Sequence, residues 1–129
     1  MPVEFNQWHK VNLSCAYEFK VRFQRAGHIL GSAYVEIDIG QYHKQSKSAK
    51  RIVFSGDLGA PYTPLLPTPK PPYKADVLVL ESTYGDKNHD GRKQRTKKLK
   101  QVIEKAVSDN GVVLIPAFSI GRTQSYCMN

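Results

Sequence analysis

Three polar residues of this chain follow apolar segments and carry side chains that suit catalysis or metal binding. His28 lies between two glycines, Asp57 lies in a Ser-Gly-Asp triplet, and Glu81 follows the run Asp-Val-Leu-Val-Leu. Imidazole nitrogens and carboxylate oxygens are zinc ligands, and carboxylates also act as general acids or bases. Each residue also has a plainer interpretation, as an exposed loop histidine, a turn aspartate or a solvent-facing strand end. Residue type alone therefore leaves both interpretations open.

Other catalytic and targeting signatures are missing from the sequence. It has no match to GxxxxGKS/T, GxSxG or HExxH, so nucleotide triphosphatases, serine hydrolases with that motif and zincin proteases lack support. No run approaches the roughly 18 apolar residues of a membrane span, and we expect no secretory signal at the N-terminus. Two cysteines, Cys15 and Cys127, lie far apart in the sequence, so we expect reduced thiols and a cytoplasmic location.

A basic segment dominates the charge of the chain. Nineteen Lys and Arg against eleven Asp and Glu give a net charge of +8, and residues 87–105 carry +6 of it. Such a segment suits a polyanion such as RNA or another single-stranded nucleic acid, although on charge alone a solvated helix face is the commoner explanation. We assign nucleic-acid contacts to five residues, Lys93, Lys97, Lys100, Arg122 and His89.

Hydrophobic periodicity predicts the elements that position these residues. Periods of two and short apolar runs predict strands over 17–24, 35–39, 51–55, 76–80 and 112–115. A period near 3.6 predicts a helix over 92–108, which Asn110-Gly111 should end. The first sixteen residues show no clean period and are expected to form a loop or a short helical turn. Residues 116–121 are expected to lead into a final, short helix.

The predicted strand directions bring the three polar residues to one edge of a sheet. If the first three strands form a meander, the first and third run the same way. Strand 76–80 follows a proline-rich crossover and can lie parallel to them. His28, Asp57 and Glu81 then follow the carboxyl ends of their strands, where open α/β sheets place their ligands. The sequence therefore predicts an α/β fold with a site at that edge.

Four segments, in this order along the chain, resemble a known family. They are AGHILGSA (26–33), FSGDLG (54–59), ESTYGDKNH (81–89) and IPAFSIGRTQ (115–124). Together they resemble the β-CASP branch of the metallo-β-lactamase superfamily, RNA-processing nucleases akin to the cleavage-and-polyadenylation endonuclease. The resemblance covers nearly the whole chain from about Tyr17 onward.

The resemblance implies roles for the three strand-end residues and an architecture for the chain. His28 would be a zinc ligand, Asp57 would bridge two zinc ions and take part in catalysis, and Glu81 would be a catalytic acid acting through a distant histidine. A zinc pair supplies hydroxide and neutralises charge that develops on the phosphate. The implied α/β fold is a partial metallo-β-lactamase-like β-sheet with flanking helices over residues 1–81. The start of the β-CASP cap would occupy 82–129, with Gly121 to Gln124 opening the cap helix.

The chain also departs from the family pattern. The HxHxDH motif, which supplies most ligands of the first zinc, is absent, and so are the later histidines of the cap. We therefore expect a fragment of a zinc-dependent RNA-processing nuclease that holds its two zinc ions weakly or not at all and is inactive alone. The alternative is a non-catalytic, oligomerising module for nucleic-acid binding or assembly, derived from the same fold. Because 129 residues offer too few partners for the predicted strand faces, we also expect a homo-oligomer.

Overall fold

The computed structural model describes residues 2–41, 49–63, 65–88, 91–118, 120–121 and 123–124. Within these ranges the chain forms five strands and one α-helix, and it divides into two compact units. The first unit comprises Met1–Glu81 with Ile120–Asn129, and the second comprises Ser82–Ser119. Within the same ranges no helix has the length and apolar character needed to cross a membrane.

All five strands belong to one mixed sheet in the first unit, in the order β1-β2-β3-β4-β5. Their bounds are β1 Trp8–Val11, β2 Tyr17–Arg25, β3 Ala33–Gln41, β4 Lys50–Phe54 and β5 Val77–Val79. Strands β1 to β4 pair antiparallel with their neighbours, and β5 pairs parallel with β4. Strands β2, β4 and β5 therefore run in one direction, which confirms the predicted meander and crossover. The sheet and helix confirm the α/β class and are consistent with a partial metallo-β-lactamase-like domain.

The alternating sequence of β2 and β3 separates an apolar face of the sheet from a polar one. Val21 pairs with Ile37, which pairs with Ile52 of β4, so these side chains share the apolar face. Arg22 pairs with Glu36 on the polar face. A slip of one residue would exchange the two sets, so this pattern fixes the register.

In an ordinary half-buried sheet the apolar face is buried and the polar face is exposed. In this sheet the most buried side chains lie on the polar face. On the polar face Glu36 is 0% exposed and Tyr34 is 4% exposed. On the apolar face Phe54 and Val79 are 42% and 49% exposed. The small core of the first unit therefore lies on the polar side of the sheet, and the apolar side is open.

A cross-strand charged network occupies the polar face. Arg22 donates from Nε and Nη2 to Oε2 of Glu36, at 3.1 and 2.5 Å. Arg51 donates from Nε and Nη2 to the two carboxylate oxygens of Asp38, at 2.6 and 2.7 Å. Both guanidinium groups lie over the Trp8 ring, 4.5 and 5.0 Å from its centroid. Because these residues come from β1, β2, β3 and β4, the network ties four strands together.

The proline-rich connector between β4 and β5, residues 60–75, packs against the same face. The Tyr34 hydroxyl donates to the Lys70 carbonyl at 2.9 Å, and burial raises the pKa of Tyr34. At Gly27, which has a φ of +69°, an added Cβ would lie 2.7 Å from the Pro67 carbonyl oxygen. The connector therefore covers part of the polar face, and its close approach requires glycine at position 27.

One expectation for the sheet is wrong. The first sixteen residues contain β1, whose four residues pair with β2 through contacts such as Trp8 with Arg22. Long-range pairing forms this strand, and four residues give little periodicity to detect. Strand β5 is apolar on both faces, and Val77 and Leu78 are 49% and 52% exposed, as expected for strand faces with too few partners in the chain. Among the described strands only β4 pairs with it.

The second unit contains helix α1, Arg92–Ser108, which confirms the helix predicted over 92–108. Asn110 has a φ of +51°, and the Gly111 N–H donates to the Ala106 carbonyl at 2.7 Å. This is a Schellman ending with asparagine in the left-handed position, so the predicted stop is confirmed. The predicted strand over 112–115 is wrong, because no segment described in this unit pairs with it and Val112 is 83% exposed. The final helix expected after residues 116–121 lies mostly outside the described residues.

Candidate functional site

The candidate site is the edge of the sheet at which β2, β4 and β5 end. His28 and Asp57 each come three residues after their strand, and Glu81 comes two residues after β5. Since the three strands run the same way, their carboxyl ends lie at one edge. The side chains of His28 and Asp57 are exposed, and Glu81 is half-buried. The fold thus places all three candidate residues at the edge that the sequence predicted.

A main-chain bridge joins the segments that carry His28 and Asp57. Gly27 forms an isolated antiparallel bridge with Leu58. Because the bridge is antiparallel, the residue after Gly27 and the residue before Leu58 are the next pair along the two segments. That pair is His28 and Asp57. The two candidate zinc ligands therefore lie on chain segments that face each other.

The bridge depends on a very close approach of two backbones. The Gly59 N–H donates to the Ala26 carbonyl at 2.8 Å. A Cβ built on Gly59 would overlap the carbonyl group of Gly27. At the start of the same loop Gly56 has a φ of +53°, a conformation that glycine adopts without strain. The glycines of the Ser-Gly-Asp-Leu-Gly segment are therefore required by the shape of the site.

The carboxylate of Glu81 joins the third segment to the first two. Its Oε1 accepts a hydrogen bond from the Leu58 N–H at 2.5 Å. The Glu81 N–H donates to Oγ of Ser55 at 2.9 Å, and that hydroxyl donates to the Gly56 carbonyl at 2.7 Å. Ser55 is 5% exposed, and its N–H donates to the Val79 carbonyl at 2.9 Å. Ser55 thus connects the ends of β4 and β5.

The loop that carries His28 has its own internal support. The main-chain N–H groups of His28 and Ile29 donate to Oγ of Ser32, at 3.0 and 3.2 Å. The Ser32 N–H donates in turn to the Ile29 carbonyl at 3.1 Å. One serine hydroxyl therefore holds the turn that presents the exposed histidine.

No family model matches the chain, but curated proteins do. It is 33% identical to Ribonuclease TTHA0252 of Thermus thermophilus over 123 residues, which are 95% of this chain and 26% of that protein. It is 38% identical to endoribonuclease YSH1 of Kluyveromyces lactis over 100 residues, 77% of this chain and 12% of that protein. It is 39% identical to an RNase J-like protein of Methanocaldococcus jannaschii over 111 residues, 81% of this chain and 24% of that protein.

The chain belongs to the β-CASP ribonucleases. It spans about a quarter or less of the length of the three relatives. The alignment with the Thermus protein covers nearly all of this chain. The similarity to β-CASP proteins therefore extends beyond the four short segments. This β-CASP segment therefore corresponds to one part of much longer proteins.

Few candidate zinc ligands lie together among the described residues of the β-CASP segment. Across the ranges that the structure describes, no group of three or more His, Cys, Asp or Glu side chains could hold a metal ion. Zinc sites take three or four protein ligands, whereas the bridge brings together two candidates, His28 and Asp57. The nearby carboxylate of Glu81 already accepts from Leu58 through Oε1. The described residues therefore do not form a zinc site by themselves.

Three of the five residues predicted to contact nucleic acid lie on α1 of the β-CASP segment. Lys93, Lys97 and Lys100 are exposed and follow one stripe at spacings of four and three residues. The Lys100 ammonium lies 3.6 Å from the carboxylate of Glu104, with both side chains largely exposed. Two further predicted contacts lie outside the described residues, His89 and Arg122. The described part of the lysine stripe is therefore accessible to a polyanion.

Sequence reasoning missed two residues that shape the β-CASP site. Ser55 is the first residue of the Ser-Gly-Asp triplet, and that triplet was the signal available in the sequence. Gly59 ends the same segment, and its role follows only from the approach of the Gly27 backbone. Neither residue carries a charged or metal-binding side chain, so residue type alone does not indicate a role for either.

Proposed function

We propose that this chain supplies one part of the active site of a zinc-dependent ribonuclease that hydrolyses RNA phosphodiesters. The observation that carries the proposal is the meeting of the His28, Asp57 and Glu81 segments at one sheet edge. The names of the matched relatives, all ribonucleases, support RNA as the substrate class. In this proposal His28 and Asp57 are zinc ligands, and the other ligands lie outside the described residues.

Grafting tests whether this segment can serve a ribonuclease site. The chain would replace the aligned 123 residues of the Thermus ribonuclease. We expect the folded chimera to cleave single-stranded RNA, and we expect Asp57→Asn or His28→Ala to lower kcat/KM by at least about 100-fold. Glu104→Gln, an exposed change on α1, is the matched control and should leave cleavage intact. A folded chimera that does not cleave RNA would contradict the proposal.

We propose that the 129-residue chain alone is inactive and holds zinc weakly. With two candidate ligands at the bridge, the affinity should fall far below that of a closed zinc site. Elemental analysis of the purified chain after dialysis should therefore give well under one zinc per chain, and RNA should remain uncut. Two tightly held zinc ions per chain would show that this expectation is wrong and that other ligands complete the site.

RNA binding should depend on the lysine stripe of α1. Three phosphate contacts to a single strand predict a salt slope near −2, so affinity should fall about 20-fold between 50 and 200 mM salt. Changing Lys93, Lys97 and Lys100 to glutamate should abolish binding in a fluorescence anisotropy titration.

A second triple variant of α1 separates the stripe from net charge. Changing Arg95, Lys98 and Lys105 to glutamate alters the total charge by the same amount on other sides of the helix. We expect this control to weaken RNA binding but not to abolish it. Equal losses of RNA affinity in the two variants would contradict a specific role of the stripe and would indicate a solvated helix face.

The open apolar face of the sheet favours a second candidate function, that of an oligomerising module. We propose that a second copy of the chain covers this face, where Phe54 and Val79 are nearly half exposed. Sedimentation at micromolar concentration should report at least two chains. Phe54→Lys should shift the chain to monomer, whereas Tyr73→Lys should not, because Tyr73 is 96% exposed on the connector. A stable wild-type monomer would contradict the proposal.

A cytoplasmic location also belongs to the proposal. Cys15 is exposed and has a free thiol. Exposed free thiols persist in reducing compartments, and RNA processing by a ribonuclease takes place inside the cell. Localisation of a tagged chain by fluorescence would test this assignment.

A further inference from the structure

We propose that Glu81, whose main-chain N–H is held by Ser55, is a positioning residue whose carboxylate fixes the loop that carries Asp57. Its importance for catalysis rests on the proposed ribonuclease function, but the contacts can be tested without RNA or metal. This role differs from that of a catalytic acid, because it uses Glu81 as a hydrogen-bond acceptor for the main chain.

The contact at the centre of the proposal joins Glu81 to the residue next to Asp57. Oε1 of Glu81 accepts from the Leu58 N–H at 2.5 Å. A hydrogen bond from a main-chain N–H to a carboxylate is charge-assisted and stronger than one between neutral groups. Glu81 is half-buried, so water competes less well for this oxygen than at an open surface. The carboxylate therefore holds one side of the Asp57 loop.

Ser55 holds both Glu81 and the other side of the loop. Its hydroxyl accepts from the Glu81 N–H at 2.9 Å and donates to the Gly56 carbonyl at 2.7 Å. Ser55 is 5% exposed, so each of these bonds replaces a contact with water that the hydroxyl has lost. The single hydroxyl thus fixes the main chain of Glu81 and the first residue of the loop.

Asp57 lies between the two points at which the loop is held. Gly56 is bound by Ser55, and Leu58 is bound by Glu81. The main chain of Asp57 is therefore constrained on both sides, while its side chain is exposed. Because its main chain is constrained, the Asp57 carboxylate is already positioned before a ligand binds. This positioning reduces the entropy lost on binding.

Two conservative substitutions separate positioning from a role of charge or proton transfer. Glu81→Gln keeps the length of the side chain and an accepting oxygen but removes the charge. Glu81→Asp keeps the charge but shortens the side chain by one methylene, so its oxygen no longer reaches the Leu58 N–H. Positioning predicts that glutamine preserves the loop and aspartate does not. A role of charge predicts the opposite order.

Amide hydrogen exchange by NMR on the full 129-residue chain provides the test. The Leu58 amide should be protected in the wild type. In Glu81→Gln, which keeps a hydrogen bond but loses its charge assistance, it should exchange faster by less than about tenfold. In Glu81→Asp and Glu81→Ala it should exchange at least about tenfold faster, as expected for loss of a charge-assisted hydrogen bond. Ser55→Ala should speed exchange of the Glu81 amide similarly. Glu104→Gln is the matched control and should change neither rate.

Chemical shifts show whether the effect is local. The amide shifts of Asp57 and His28 should move in Glu81→Ala and return in Glu81→Gln, while the amides of β2 and β3 keep their protection. An unprotected Leu58 amide in the wild type, or one indifferent to Glu81→Ala, would overturn the proposal. So would protection retained by aspartate and lost by glutamine. None of these results depends on RNA cleavage, so a failed chimera leaves them intact.

Discussion

Replacing Arg22 by alanine should destabilise the first unit by roughly 3–5 kcal/mol, the cost of removing one partner of a buried ion pair. Glu36 is fully buried, and Arg22 supplies both hydrogen bonds to its Oε2. The next cation, Arg51, lies 3.8 Å from that oxygen. Without Arg22 the carboxylate would remain buried with weak compensation. Urea unfolding followed by the fluorescence of Trp8, the single tryptophan, would measure the loss.

An exposed ion pair of the same sheet serves as the control. Lys10 lies 3.0 Å from Glu18, with side chains 49% and 31% exposed. Lys10→Ala should change the free energy of unfolding by at most about 1 kcal/mol. A double variant, Arg22→Met with Glu36→Leu, should recover much of the stability, because it removes both charges together. Similar losses for Arg22→Ala and Lys10→Ala would contradict the proposed difference in burial.

Replacing Gly59 by alanine should cost about 3 kcal/mol or more, at the upper end of the range for overpacking. The added Cβ would overlap the Gly27 carbonyl and approach the His28 nitrogen to 2.8 Å. These are main-chain atoms, so no side-chain rotation can relieve the clash. The variant must open the bridge between Gly27 and Leu58, and the shifts of both loops should change in an NMR spectrum.

Gly40 provides the matched control for this substitution. It lies in β3, and a Cβ added there would have no heavy atom within 4 Å. Gly40→Ala should therefore be neutral, or stabilising by up to about 1 kcal/mol through the reduced entropy of the unfolded chain. A comparable loss for the two alanine variants would show that the close approach at Gly59 is not the cause.

Hydrophobic periodicity correctly predicted the elements that show a clear period in their own sequence. It failed where the presence or absence of a partner strand determines whether a segment forms a strand. The alternation in β2 and the 3.6-residue repeat of α1 each extend over enough residues to identify the element. Residues 8–11 become a strand because β2 lies beside them, and residues 112–115 have strand-forming composition without a partner described in their unit. The local sequence does not show whether a partner strand is present.

The sequence predicted the edge at which the candidate residues lie but not the contacts between their segments. Strand order and direction placed His28, Asp57 and Glu81 at one edge of the sheet, where the structure has them. The bond from Leu58 to Glu81 and the part played by Ser55 depend on the packing of loops from separate strands. The burial of Glu36 was equally hidden, because alternating charges in a strand are usually a solvated face.

The main-chain character of the bond at Leu58 has a consequence for directed evolution of this segment. Leu58 contributes to the site through its N–H, which every amino acid except proline possesses. In a saturation library selected for an intact loop, position 58 should accept many side chains and exclude proline. Such a position would look almost unconstrained in the sequences recovered, although the bond it provides is needed in every one of them.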